Sequence, residues 1–287
     1  MTAAPSTVSD RIHAHLDTLT RAERQLAQSI LDSYPASGLG TLAALAEQAD
    51  VSVPTVSRTV QKLGYASYPE FQAALREEMM AMSRAPAARF AARTLPEAHL
   101  LAGMAEAVTD NLRRTLEQID PAAFDAACAL VADRSRRVSV VGGRVTHTIA
   151  EYLFQHLQIV RPGVSQIRAT SNSWPHSLLD VTEGDVFVLF DTRRYETNTM
   201  RLAEMARAEG ARLILVTDQW RSPLHGLAEI TLAARTAVPS PWDSACAPLL
   251  LVEAMIAAVY QADPEGGARM ARLEETFDKT GLFRKFI

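Results

Sequence analysis

The chain has 287 residues, 48% of them of the apolar class and 22% charged, which suits one large or two modest globular domains and excludes a chain disordered throughout. Its 29 Lys and Arg against 33 Asp and Glu give a net charge of −4, so a nucleic-acid function cannot rest on overall basic charge and needs local placement. No apolar run approaches the ~20 residues of a membrane span, since Ala247 to Tyr260 is shorter and carries Glu253, and Met1 to Asp10 has neither the basic start nor the apolar core of a secretory signal.

The first 80 residues carry helical periodicity only. Val8, Ile12, Leu16 and Leu19 share one helix face. Thr20 with Glu23 is a capping box that opens a second helix, with Leu26, Ala27, Ile30 and Leu31 inward, ended by Tyr34-Pro35 and Gly38 to Gly40. Thr41 opens a short helix through Leu42, Leu45, Ala46 and Ala49. After the Asp50-Val51 turn, Ser52 caps a helix from Val53 to Leu63, closed by Gly64. Ser67 with Glu70 opens a fourth helix through Phe71, Leu75 and Met79. Residues 81–97, interrupted by Pro86 and Pro96 and carrying Arg84, Arg89 and Arg93, read as a partly helical linker.

Helical patterns follow at about 98–118 and 121–133. Short β-rich runs then appear at Arg137 to Gly142, Val164 to Thr170, Asp185 to Asp191, Arg212 to Asp218 and Glu229 to Ala234. Between and after them lie helical patterns at about 146–159, 196–209 and 243–262. Continuous apolar strands such as Val186 to Phe190, joined by helices, predict a parallel sheet covered on both faces, a doubly wound α/β sandwich of about five strands. Cys128 and Cys246 have no metal-site or disulfide spacing and are expected as two small buried thiols of a cytoplasmic protein.

Helix 41–49, a tight turn and helix 53–63 have the spacing of a helix-turn-helix. Val53, Val56, Val60 and Leu63 make the expected buried stripe. Thr55, Arg58, Thr59 and Lys62 are expected on the opposite face, with Ser52 and Ser57 near its start. That face has two cations, several hydroxyls and no carboxylate, in a segment of six cations and nine carboxylates. It suits phosphate contact and base-edge readout, since Arg forks onto guanine and a helix start offers free N–H groups. Any three-helix bundle also shows a polar outer face, so spacing alone leaves both readings open.

The run Val51-Ser52-Val53-Pro54-Thr55-Val56-Ser57-Arg58, with Lys62-Leu63-Gly64-Tyr65 and Ser67-Tyr68-Pro69-Glu70-Phe71, closely resembles the N-terminal domain of RpiR/MurR-type bacterial transcriptional regulators. The resemblance covers nearly the whole chain. It implies an all-α helix-turn-helix domain over residues 1–80, a linker over 81–97, and a doubly wound, SIS-like (sugar isomerase) domain over 98–287 for effector sensing and oligomerisation. Double-stranded operator DNA and a homodimer or homotetramer are the expected partners, with no membrane.

The expected sensing site lies on three loops. Gly142-Gly143-Arg144-Val145-Thr146 follows the first strand, and glycine lets a backbone approach an anion at a helix start. A plain tight turn is the competing reading. SIS domains usually read Gly-x-Gly-x-Ser here; Arg144 replaces the second glycine and Thr146 the serine. The third strand runs into Asp191-Thr192-Arg193-Arg194-Tyr195-Glu196-Thr197, where the SIS pattern is Ser-x-Ser-Gly-x-Thr. Asp191 and Arg193 stand at its serines, Arg194 at its glycine and Glu196 at its threonine. Adjacent arginines at the carboxyl end of a central strand match phosphate or carboxylate, unless they pair with Asp191, Glu196 or a partner subunit. Asp243 or Ser244 is placed to cap the last long helix and close the pocket. Glu253 is a candidate pocket carboxylate, with burial against an arginine as its alternative. The expected effector is a small anionic metabolite, a phosphosugar or sugar acid.

An SIS-type sugar-phosphate isomerase with a helical appendage is the alternative. It is disfavoured because the serine-rich loop is replaced and no acid/base pair is evident. The Gly-x-Ser-x-Gly elbow, the His-Glu-x-x-His run and the Walker P-loop are absent, so no catalytic residue, metal or cofactor is expected. His13, His15, His147, His176 and His225 are expected in surface or satisfied roles. Tyr65, Tyr68 and Phe71 are expected to pack the helical domain.

Overall fold

The computed structural model describes residues 7–283 apart from 33, 84, 92–98, 171 and 264; Met1 to Ser6 and the linker residues Arg84, Arg93 and Pro96 lie outside it. Helix α1 (Val8–His15) starts on a capping box that the sequence reading did not use. Thr7 Oγ1 accepts from Asp10 N–H at 3.1 Å, and the Asp10 carboxylate accepts from Thr7 N–H at 2.6 Å. A single 3-10 turn then leaves Leu16 37% exposed, against the expected stripe, while Val8, Ile12 and Leu19 stay buried. The capping box of Thr20 and Glu23 opens α2 (Arg21–Asp32), with hydrogen bonds of 2.7 and 3.4 Å. Thr41 caps α3 (Leu42–Gln48) and Ser52 caps α4 (Val53–Lys62). Gly64, at φ +87°, turns the chain toward α5 (Tyr68–Ser83). The Ser67 box slips by one residue, since the Glu70 carboxylate takes the N–H of Ala66 at 2.6 Å.

The helical core gathers Ile12, Leu26, Ile30, Leu45, Val56, Val60, Leu63, Phe71 and Leu75. Tyr65 and Tyr68 pack on Phe71 with ring centroids 5.5 and 5.8 Å away. Each fully buried side chain of this kind contributes about 1.5–3 kcal/mol relative to exposure. A Cβ on Gly38 would stand 2.3 Å from Leu75 Cδ1, so only glycine lets the 36–39 turn close on α5.

Within the expected linker α6 (Pro86–Ala91) forms, followed by α7 (Leu100–Gln118) and α8 (Pro121–Ala132). Five parallel strands come next: β1 (Val138–Gly142), β2 (Val164–Arg168), β3 (Val186–Asp191), β4 (Arg212–Asp218) and β5 (Ile230–Ala234), in the order β2-β1-β3-β4-β5. Val138 pairs with Val164 and Val186, Val186 with Arg212, and Ile214 with Ile230. Helices α9 (His147–Val160), α10 (Thr197–Ala208) and α11 (Cys246–Ala262) complete the sandwich. Strand period 2 divides the core. Val138, Val140, Val188, Phe190, Ile214 and Val216 face α8, α9 and α11, whereas Val141, Phe187, Leu189, Leu213 and Leu215 face α10. The strand order reverses between β1 and β3, the switch point at which open α/β sheets bind ligands.

Helix α12 (Gly266–Thr280) is an addition to the sequence reading; Arg269 ties it to the Gln158 carbonyl at 2.8 Å. Cys128 is buried as expected, but Cys246 is exposed, because it sits in the first turn of α11 ahead of that helix's inward stripe. Among the described residues no single helix is long and apolar enough to cross a membrane; the apolar length of α11 goes into the sheet through Leu251, Val252, Met255 and Val259.

The helical and α/β parts meet through specific polar contacts. Asp10 pairs with Arg235 and accepts from Gln118 Nε2 at 2.5 Å. His13 Nε2 stands 3.1 Å from Arg221 Nη2, and Trp220, just after β4, packs into the helical core.

Candidate nucleic-acid interface and anion pocket

Helix α4 turns Val56, Thr59, Val60 and Leu63 inward, so its outer side is Val53, Pro54, Ser57, Arg58 and Gln61. This corrects three expectations. Thr59 is fully buried, and its hydroxyl donates to the Thr55 carbonyl at 2.8 Å; it adjoins Val60 and lies one turn from Val56, inside the core stripe. Val53 is 44% exposed, in a first turn that projects beyond the core. Lys62 is turned aside, its Nζ 3.0 Å from the Glu23 carboxylate and 2.6 Å from the Thr18 carbonyl. The Ser52 hydroxyl caps the helix and lies 2.8 Å from Thr55 Oγ1. Thr55 and Ser57 are half-buried. Arg58 is exposed, bonded only along its own helix to the Pro54 carbonyl at 3.2 Å, with no carboxylate partner among the described residues. By contrast Arg11 is bound to the Leu63 carbonyl and Arg24 to that of Leu19. Gln61 and Pro54 were legible at three- and four-residue spacing from Ser57 and Arg58, but reading only cations and hydroxyls passed them over.

At the carboxyl ends of β1 and β3 lies a cavity of about 220 Å³, walled by Arg89, Arg144, Thr146, Arg193, Arg194, Asp243 and Ser244 among others. Gly142 and Gly143 are buried behind its wall. A Cβ on Gly142 would stand 2.6 Å from the N atom of His147, so glycine is what lets β1 turn directly into α9. The Thr146 hydroxyl accepts from Gly143 N–H at 2.9 Å and donates to the Phe190 carbonyl at 2.8 Å, which fastens this turn to β3.

The two adjacent arginines separate. Arg193 is nearly buried and pairs in fork fashion with Asp243, at 2.7 and 2.5 Å; it also donates to the Ala81 carbonyl at 3.1 Å and stacks over the Trp220 ring at 3.9 Å. Asp243 takes Arg89 as well, at 3.3 Å, so it binds arginines rather than capping α11. Ser244 Oγ accepts from Cys246 N–H at 3.2 Å just ahead of that helix, whose N-cap residue is Ala245 with no side-chain cap. Arg194 and Arg144 are exposed at the cavity, and neither side chain has an ion-pair partner among the described residues.

Two predicted carboxylates lie elsewhere. Asp191 is 3% exposed and turned away from the cavity, accepting from the Ser222 hydroxyl and from Glu196 N–H at 3.4 Å. Burial pushes its pKa up to about 7. Glu253 is exposed on the outer side of α11, accepting from Tyr152 at 3.3 Å with no arginine partner among the described residues, because α11 buries the opposite stripe. The sequence reading missed Asp218, the last residue of β4. It is fully buried and accepts from Arg193 N–H at 2.6 Å, Tyr195 O–H at 2.8 Å and Trp220 N–H at 3.1 Å, which fixes the loop that presents both arginines. Burial raises its pKa to about 6 and drives the Tyr195 hydroxyl far above its usual range. A polar residue ending a buried strand beside the switch point was the available signal. Among the described residues no group of three or more His, Cys, Asp or Glu is placed to hold a metal ion.

Residues 7–82 match the helix-turn-helix domain of the rpiR family, and residues 133–258 match the SIS domain. The HTH-type transcriptional regulator HexR of Pseudomonas aeruginosa is 25% identical over 244 residues, which is 82% of this chain and 80% of that protein. The fold is similar to that of the Vibrio vulnificus NanR protein complexed with ManNAc-6P, with TM-score 0.55, 18% identity and coverage of 97% of this chain and 100% of that one. It is also similar to the sugar isomerase domain of an RpiR transcription factor from Sphaerobacter thermophilus, with TM-score 0.58, 22% identity and coverage of 62% and 98%. With both domains matched in order, and the helical part and parallel sheet found where those matches require them, the chain belongs to the RpiR family of helix-turn-helix transcriptional regulators with a C-terminal SIS domain.

Proposed function

We propose that this regulator binds operator DNA through the outer side of α4 as a homodimer or homotetramer, and that a small anionic metabolite in the cavity between β1 and β3 controls that binding. Residues 1–80 act as the DNA-binding domain and 98–287 as the sensing and assembling domain. The observation that carries the reading is the isolation of Arg58: it stands exposed on the outer side of α4, without a carboxylate partner among the described residues, in a segment otherwise rich in acid. Arginine there serves phosphate or guanine, and pairing two subunits doubles the local positive charge on one duplex. The unpaired Arg144 and Arg194 support an anionic effector. The phosphosugar held by the NanR relative makes sugar phosphates one natural class to test, beside sugar acids.

Fluorescence anisotropy with labelled DNA from the upstream region of the gene tests the reading. Binding should weaken steeply as salt rises through counterion release, and a panel of sugar phosphates and sugar acids should contain a compound that shifts it. A salt-independent signal would contradict contact with phosphates.

A further inference from the structure

The residue at the N-cap of α10 does not cap it. Glu196 has extended backbone there (φ −102°, ψ 127°), and its side chain makes no hydrogen bond to its own helix. Ser, Thr, Asp and Asn are the residues that serve this position. Its carboxylate crosses to the turn between β1 and α9, where Oε1 accepts from Arg144 N–H at 2.6 Å. A Cβ on Gly143 would stand 2.7 Å from the same oxygen, so glycine at 143 makes room for this carboxylate. A glycine turn feeding a helix start is a place where backbone N–H groups and the helix dipole favour an anion. In this chain an anion already sits there, and it belongs to the protein. A local rule broken without local benefit points to a role in the site.

Resting on the reading of the cavity as the effector site, we propose that Glu196 is a specificity-determining residue, an internal anion that fills the turn and leaves the charge of an entering ligand to Arg144 and Arg194. A phosphate brought to the turn would meet a carboxylate at contact distance, where like charges repel. A carboxylate ligand engaging the two guanidinium groups on the open side of the cavity avoids that clash. The geometry therefore favours a sugar acid, or another carboxylate, over a phosphate seated on the turn.

Inorganic phosphate is the probe, titrated into the full-length chain and followed by calorimetry and by the backbone amide signals of residues 143–146. Glu196→Thr vacates the turn and supplies a normal cap for α10; Glu196→Ser does the same and stands in should the threonine variant fold poorly. Glu196→Gln keeps the bulk and the acceptor and removes only the charge. The expected result is a gain in phosphate affinity of at least about tenfold in the Thr or Ser variant, with the 143–146 amides shifting, and a smaller gain in the Gln variant, which loses the repulsion but still fills the turn. No gain in Thr and Ser would overturn the proposal, as would no gain in Gln, which would show that the carboxylate's charge plays no part in excluding phosphate. The underlying reading is tested separately by Arg144→Ala and Arg194→Ala in the DNA-release assay with whichever sugar acid or sugar phosphate acts on the wild type. Retained release there removes the cavity as the effector site, whereas lost release without a phosphate gain in Glu196→Thr removes only the role of Glu196.

Discussion

Arg58 and Thr59 are neighbours in sequence with opposite duties. Arg58 projects into solvent and is held only by its own helix, so removing it disturbs no packing. Arg58→Ala is expected to leave the melting temperature unchanged and to cost about 1–3 kcal/mol in specific DNA binding if the arginine reads a base. Unchanged affinity for the operator would transfer the contact to another residue. Thr59 is buried with its hydroxyl bonded back to Thr55. Thr59→Ala should therefore lower stability by about 1 kcal/mol and leave the DNA affinity of the folded protein untouched. An anisotropy titration paired with a urea melt separates the two, and a loss of affinity in the threonine variant at constant stability would restore it to the interface.

At the scale of elements, legibility followed burial. The five strands were readable because a sheet covered on both faces must be built from continuous apolar runs, as Val186 to Phe190 shows. Helices α2 to α5 announced themselves by capping residues and an apolar stripe, α1 by its stripe alone. Helix α12 escaped although Met270, Leu273 and Phe277 recur at three- and four-residue spacing, because it lies at the edge of the sandwich and is mostly exposed. In the pocket, Arg144, Thr146, Arg193, Arg194, Asp243 and Ser244 were legible as wall residues, whereas Asp191 and Glu253 lie elsewhere and partners were hidden: nothing in Asp191-Thr192-Arg193-Arg194 tells which arginine meets Asp243, 50 residues on. The same limit hid Gly38, whose neighbours Phe71 and Leu75 come from α5. Gly38→Ala would press a methyl against Leu75 Cδ1 and Phe71 Cε1, and should cost about 1–3 kcal/mol by overpacking. A near-neutral urea melt would mean that the turn can shift at little cost.

At the scale of the whole molecule, buried charged groups lie both within the helical part and where it meets the sheet. Glu78 on α5 accepts from Val8 N–H at 2.8 Å and from the Tyr34 hydroxyl, and burial raises its pKa to about 7 with Asp10 adding to the effect. A carboxyl whose folded pKa is raised contributes stability that is full below its unfolded value near 4.5 and is lost as pH climbs through about 7. Asp191 and Asp218 act in the same direction, while His13, whose pKa burial lowers, acts in the opposite one. The contribution of Glu78 is therefore isolated as a difference. Relative to Glu78→Gln, the wild type should lose about 1–3 kcal/mol of unfolding free energy between pH 5 and 8, and a difference of the other sign would exclude a buried protonated carboxyl. Arg193 joins the two parts, because one guanidinium holds Asp243, the Ala81 carbonyl at the end of α5 and the face of Trp220, a residue of the helical core. Arg194, one residue on, lines the cavity with no ion-pair partner among the described residues. Arg193→Ala leaves the largely buried Asp243 with Arg89 alone, and should cost about 2–4 kcal/mol in stability while altering DNA binding even without effector. Arg194→Ala should stay within about 0.5 kcal/mol of wild-type stability, keep effector-free DNA binding and lose the effector response. Thermal melts and anisotropy with and without the active compound distinguish these outcomes. Two indistinguishable variants would mean that the cavity and the helical domain are not joined through Arg193.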